Sequence, residues 1–184
     1  EANATDGQAR LVLRANFDDK NSLFLDATGK LPDTLAGFVH TQADGHLNFQ
    51  IPDVGRLALP EPLAGDLSIQ GIFSTSNGLL RTDLKVTSHT LAAAEAELTE
   101  TTFSLQLEKD LSQPDGTPVF QSLTTMWEGT IKNVRFRDYV AEEVRFKADS
   151  QEDRVTLEKL ILTKDANSAQ IGAEYLLPAD GNSW

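Results

Sequence analysis

The stretch "DLSIQGIF", residues 66–73, decides the fold class of this chain. Leu67, Ile69 and Phe73 recur with a period of two, and polar residues stand between them. Side chains of a β-strand point alternately to opposite sides, so this pattern predicts a strand with one apolar and one polar face. The alternation fits a packed sandwich, a ligand groove and a lipid conduit equally well, which leaves open what the apolar face contacts.

The same alternation predicts two hairpins. Residues 11–17 and 23–27 alternate on either side of the polar segment "DDKN", which is typical of a hairpin loop. "DLSIQGIF" and "LLRTDLKVT" flank "STSNG", where Asn77 and Gly78 supply the positive φ that a tight turn requires.

Six further strands follow from the same reasoning. One is predicted at residues 47–51, after a turn at "ADG", and one at residues 103–107. The segments "WEGTIKNVRF", "YVAEEVRFKA", "RVTLEKLIL" and "AQIGAEYLL" follow one another with short polar breaks and predict a four-stranded meander. With no convincing amphipathic helix, the chain is predicted to be all-β, with roughly ten antiparallel strands.

Three segments interrupt this pattern. "VGRLALPEPLAG" contains two prolines and is predicted to be a connection with one helical turn. The Pro- and Gly-rich loop at residues 108–120 marks a candidate sub-boundary within a single unit, residues 1–184. Residues 90–100, "TLAAAEAELTE", have high helix propensity but also alternate, so helix and strand both stay open.

Composition excludes several kinds of partner and mechanism. Sixteen basic and twenty-eight acidic residues give a net charge of −12, which repels nucleic acid. The absence of cysteine removes disulfides, thiolate catalysis and cysteine metal sites. No apolar run reaches the roughly 18 to 20 residues that a membrane span requires. We therefore expect a soluble fragment of a longer protein, with no membrane span and no nucleic-acid partner.

Residues able to carry catalysis or bind a metal are sparse. His40, Asp44 and His46 are grouped in sequence, but they surround a predicted turn and no fourth ligand lies near them. His89 stands beside serines without the Gly-x-Ser-x-Gly elbow that would activate one of them. The prediction is therefore no catalytic site, no metal, no cofactor and no enzymatic activity.

The strongest signal that remains is the contrast between the two faces of the strands. In residues 130–160 the outward positions are densely charged, and the inward ones are almost purely apolar. Medium-sized and small apolar residues dominate, with only two Trp and two Tyr in the chain. A closed sandwich uses large residues to fill the space between its sheets, so this composition favours a curled, open sheet with an apolar concave face.

The chain resembles the TamB/AsmA-like superfamily. The resemblance rests on a Pro-punctuated segment leading into "LAGDLSIQGIF", a hairpin, and strands at "TMWEGTIKNVRF", "VTLEKLILT" and "IGAEYLLP". It extends from about Leu47 onward, and the first part of the chain departs from it by a weaker repeat spacing. The resemblance implies a taco-like, elongated β-sheet in the periplasm of a diderm bacterium, in a protein anchored in the inner membrane. It also implies transport of phospholipid acyl chains between the membranes, a partner in the outer membrane and a role in outer-membrane protein assembly.

The residues expected to line such a lipid groove are the alternating apolar residues of the predicted strands. They are Leu67, Ile69, Phe73, Leu84, Val86, Phe103, Leu105, Ile131, Val144, Phe146, Val155, Leu157, Ile171 and Tyr175. The same residues would also form the core of a closed sandwich, because lining and packing use the same chemistry. A structural or adhesive β-module of a secreted or surface protein and a carbohydrate-active β-sandwich therefore stay open as alternatives.

Overall fold

The computed structural model of this protein describes residues 2–5, 8–16, 21–30, 41–56, 63–112, 123–151 and 153–176. Of these, 85% lie in β-strands and none in an α-helix, which confirms the all-β prediction. The strands are β1 (Ala2–Thr5), β2 (Gln8–Asn16), β3 (Ser22–Lys30), β4 (Ala43–Ile51), β5 (Ala64–Gly65), β6 (Leu67–Ser76), β7 (Leu79–Ala93), β8 (Ala96–Asp110), β9 (Leu123–Phe136), β10 (Tyr139–Gln151), β11 (Arg154–Lys164) and β12 (Asn167–Leu176).

The strands form one antiparallel sheet in which nearly every strand pairs with its neighbours in sequence. The order is β1-β2-β3-β4-β6-β7-β8-β9-β10-β11-β12, and the two-residue β5 pairs with β7 beside this path. Within the described residues the sheet is curled and open, with β1 and β12 at its two edges. Both predicted hairpins and the meander β9–β12 are confirmed, and Asn77 and Gly78 have φ values of 52° and 81°.

Two local predictions need correction or refinement. "ADG", residues 43–45, is the start of β4 and not a turn, and Gly45 pairs with Phe73. Residues 90–100 are a hairpin: β7 ends at Ala93, a tight turn follows, and β8 starts at Ala96. The strand alternative was therefore right, but the turn reverses the chain, so these residues do not form one alternating face.

The connection after β4 was predicted in part. A single 3-10 turn, Val54–Arg56, supplies the expected helical turn, and β5 was not expected. Residues 57–62 lie outside the described residues, as do residues 17–20 of the first hairpin and residues 113–120 of the predicted Pro- and Gly-rich loop. The first three residues of that predicted loop, 108–110, belong to β8 instead.

The strand register aligns apolar residues in rows that run across the sheet. Directly paired residues of antiparallel strands project to the same side. The first apolar row crosses ten strands and consists of Ala15, Leu23, Phe49, Ile69, Val86, Phe103, Gly129, Phe146, Leu160 and Ile171. The second apolar row is its neighbour and consists of Leu13, Leu25, Leu47, Gly71, Leu84, Leu105, Trp127, Ala148, Leu157 and Ala173. We call the side that carries both rows the apolar face.

A β-bulge in β11 keeps both rows in phase. Leu157 and Leu160 are three residues apart, so strict alternation would place them on opposite faces. The pairing shifts by one residue between them, at Glu158 and Lys159, against both β10 and β12. One extra residue in a strand is the device that changes the phase of the side chains, and it returns both leucines to the apolar face.

Glycines on the apolar face make room for large side chains of adjacent strands. Phe103 and Phe146 both pair with Gly129, and their ring centroids lie 6.3 Å apart. Their strands are two spacings apart, about 9.6 Å, so the rings lean toward each other over the glycine. A Cβ on Gly71 would likewise lie 2.3 Å from Leu84 Cδ2.

We expect Gly129→Ala to destabilise the sheet. The added Cβ would lie 2.4 Å from Phe103 Cβ and 2.7 Å from the Thr102 carbonyl oxygen, so backbone must shift. Overpacking of this kind costs about 1–3 kcal/mol, measured as the free energy of unfolding in urea. Gly172→Ala is the matched control, because its Cβ would meet its nearest neighbour at 3.5 Å. Equal effects of the two substitutions would contradict this account of the apolar face.

Candidate functional site

All fourteen residues predicted to line a groove lie on the apolar face. Eight of them belong to the two apolar rows: Ile69, Val86, Phe103, Phe146, Ile171, Leu84, Leu105 and Leu157. Leu67 lies two positions before Ile69 on the same side and pairs with Ile51. The others follow from the same ladders: Ile131 pairs with Val144, Val155 with Tyr175, and Phe73 with Gly45. Their role in lipid binding stays a prediction.

The apolar face is shielded at some interior positions and exposed at both lateral edges. Val86 and Val144 are buried, with 6% and 8% of their surface exposed. Leu13 near one edge and Ile171 at the other are 43% and 46% exposed. Because all the described strands belong to one sheet, no second sheet stacks on this face within the described residues. Shielding at the centre therefore comes from neighbouring side chains of the curled sheet itself.

One end of the apolar face is closed by the chain that follows β4. Ile51, at the end of that strand, and Val54, in the 3-10 turn, are 2% and 3% exposed. The side chain of Asn21 fastens this corner, since its amide nitrogen donates to the Asp53 carbonyl at 3.3 Å and its oxygen accepts from the Asp53 N–H at 3.4 Å. The alternating pattern of the strands could not predict this closure, because it depends on Asn21, which lies between β2 and β3.

Two hydroxyl groups interrupt the apolar surface. Ser88 and Thr101 pair directly across β7 and β8 on the side of Val86 and Phe103. Both residues are buried, and within the described ranges neither hydroxyl has a hydrogen-bond partner. A buried hydroxyl without a partner costs about 1–3 kcal/mol of folding stability, so this pair destabilises the sheet locally.

The polar face is covered by cross-strand ion pairs. Examples are Arg10 with Asp26 at 2.6 Å and Arg81 with Glu108 at 2.8 Å. The hydrogen bond from Arg10 lowers the pKa of Asp26. Exposed pairs of this kind contribute little to stability because water screens them, so their main effect is to keep this side of the sheet hydrated.

Asp66 and His89 form the most connected polar group beside the apolar face. The Asp66 carboxylate accepts hydrogen bonds from the backbone N–H groups of His89 and Thr90, at 3.1 and 3.0 Å, and lies 3.1 Å from His89 Nδ1. Burial raises the pKa of Asp66, but these hydrogen bonds outweigh it, so the net pKa lies below its usual value. Among the described residues Ser88 Oγ has no hydrogen-bond partner, so this neighbouring serine is not hydrogen-bonded to His89, and the group anchors β6 to β7.

The candidate metal ligands do not form a site within the described residues. Asp44 and His46 lie in β4 rather than in a loop, which corrects the loop prediction, and His40 lies outside the described part of the chain. No group of three His, Asp or Glu residues in the described ranges is arranged to hold a metal ion.

Comparison with known proteins does not assign the chain to a family. It matches no protein-family model, no curated protein and no solved structure. No helix among the described residues is long and apolar enough to cross a membrane.

We expect Asp66→Ala to lower stability in a pH-dependent way. Removing the acceptor of two backbone N–H groups costs about 1–2 kcal/mol near neutral pH. Because the folded-state pKa lies below the ordinary value of 3.8, this contribution is present above that pH and is lost as the pH falls through the folded-state pKa. The measurement is urea unfolding from pH 2 to pH 7.

The control is Asp83→Ala, which removes an exposed aspartate of β7 for which the structure gives no ion pair or hydrogen bond among the described residues. We expect little change in stability at any of these pH values. If the free energies of unfolding of the two variants differ as much at pH 2 as at pH 7, the role given to Asp66 is contradicted.

Proposed function

We propose that the apolar face binds the acyl chains of phospholipids and carries them along the sheet. The observation that supports this proposal is the pair of apolar rows, each of which continues through ten strands without a charged residue. Nine strand spacings extend over about 43 Å. That length exceeds the hydrocarbon core of a bilayer, which is about 30 Å thick, so an acyl chain has room to occupy successive positions.

The energetics favour such a path. Each methylene that leaves water gains about 0.8 kcal/mol, and a continuous apolar surface provides similar burial at every position. The open side of the curled sheet leaves space for a head group in water. In this proposal the chain is a periplasmic part of a longer protein that works between the inner and outer membranes, with a partner in the outer membrane, and it supports outer-membrane biogenesis.

The segment after β4 closes one end of the apolar face, so the path proposed for acyl chains runs across the strands. Ile51 and Val54 are almost fully buried there, whereas Leu13, Ile171 and Tyr175 stay exposed near the two lateral edges. Acyl chains would therefore pass from edge to edge of the sheet, perpendicular to the strands. Movement along an individual strand toward Ile51 would meet the closed end.

The test uses a photoactivatable fatty-acyl probe and two charge-matched double variants. Leu13→Lys with Ile171→Lys adds two cations to the apolar face at positions 43% and 46% exposed. Ile72→Lys with Met126→Lys adds two cations to the polar face at positions 52% and 43% exposed. Because all four side chains are partly exposed, both variants are expected to fold, which circular dichroism checks.

The first variant should lose most probe labelling, since an ammonium group next to the path disfavours an apolar chain. The second should label like the unmodified chain, and mass spectrometry should place the crosslinks on the apolar face. Equal labelling of the two variants, or crosslinks on both faces, would overturn the proposal. Specific binding of a protein or glycan without lipid would favour the adhesive module instead.

A further inference from the structure

The polar face contains a depression that is lined by cations although the chain is strongly acidic. Its volume is about 490 Å³. Four of the sixteen basic residues of the chain line it, against one carboxylate, whereas the whole chain has a net charge of −12. The basic residues are Lys85, Arg145, Lys147 and Lys159, and the carboxylate is Glu128.

The register explains how these residues meet. Lys85, Ser104, Glu128, Lys147 and Lys159 form one row of directly paired residues across five strands, β7 to β11. The short side chain of Ser104 lies between those of Lys85 and Glu128, and cations border the depression on both sides, Lys85 on one and Lys147 and Lys159 on the other.

The neighbouring row completes the floor with hydroxyl groups. Thr102, Thr130 and Arg145 are its directly paired members. Arg145 pairs in turn with Ile161 of β11, which also lines the depression. Threonine hydroxyls beside ammonium groups are donors suited to an oxyanion.

Some of these cations already have partners, and others do not. Lys147 Nζ lies 2.6 Å from Glu158, and Arg145 Nε lies 2.6 Å from Glu143. Within the described part of the chain, the structure gives no ion pair for Lys85 or Lys159. Both ammonium groups are therefore available to a ligand.

The carboxylates near the depression limit its preference for anions. Glu128 pairs directly with Lys147, and it raises the pKa of that lysine together with Asp149, after the larger effects of Glu158. Glu143 and Glu158 are occupied by Arg145 and Lys147. Glu128 is the carboxylate that faces an anion directly, so it should weaken binding.

We propose that this depression is a binding site for a phosphate-type oxyanion, held by Lys85, Lys159 and the hydroxyl groups of Thr102 and Thr130. It lies on the side opposite to the apolar face, so it does not depend on the acyl-chain proposal. The same chemistry fits inorganic phosphate and the phosphate of a lipid head group.

The test follows backbone amide shifts of the ¹⁵N-labelled chain during titration with inorganic phosphate at low salt. We expect saturable shifts centred on Thr102, Ser104, Gly129 and Thr130. Lys85→Gln with Lys159→Gln should weaken binding roughly tenfold or more, because two charge-assisted hydrogen bonds are lost. Glu128→Gln should strengthen it several-fold, because a repulsion is removed.

The control is Lys30→Gln with Lys164→Gln, which makes the same change of net charge away from the depression and should leave binding unchanged. Flotation with vesicles that contain an anionic phospholipid, compared with zwitterionic vesicles, separates the two sources of phosphate. Binding of both inorganic phosphate and anionic vesicles would identify the ligand as the phosphate of a lipid head group. Binding of inorganic phosphate alone would identify it as a free oxyanion. Shifts that do not saturate, or equal losses in the two lysine double variants, would overturn the proposal.

Discussion

The register of the strand ladders is the constraint on which the rest of this structure depends. Side chains alternate with a period of two, so a slip of one residue in any ladder would send the apolar residues of that strand to the polar face. Ten strands keep two apolar rows aligned. Where the sequence departs from alternation, as between Leu157 and Leu160, a bulge restores the phase. Both the apolar face and the cation-lined depression opposite follow from this alignment.

Within the described residues a single curled sheet has to shield its apolar side without a second layer. Large side chains that lean over glycines, such as Phe103 and Phe146 over Gly129, bring apolar groups of alternate strands into contact. Trp127 is 45% exposed on the same face, and its indole N–H donates to Thr125 at 2.6 Å. The face is therefore packed where these rings meet and open at Trp127 and at the lateral edges, which is the combination that an apolar ligand of variable position requires.

Sequence reasoning recovered what depends on local alternation and missed what depends on contacts distant in sequence. The hairpin at Asn77 and the face assignment of all fourteen groove residues follow from patterns within single strands. Residues 90–100 were ambiguous because alanine and glutamate favour a helix, and pairing with neighbouring strands decides the outcome. The three-residue spacing at Leu157 was a signal for the bulge in β11. Nothing local indicated that Asn21 fastens Asp53 or that Lys85 and Lys159 border one depression.

The charge of the chain and its open apolar face are linked. An exposed apolar surface of this size would ordinarily drive copies of the chain together. A net charge of −12 opposes that association through long-range repulsion, which weakens as salt screens it. Ion pairs on the polar face, such as Arg81 with Glu108, neutralise each other and do not reduce this net negative charge. The acidic composition thus allows the apolar face to remain open in water, and it makes a local group of cations on the other side stand out as a site for an anion.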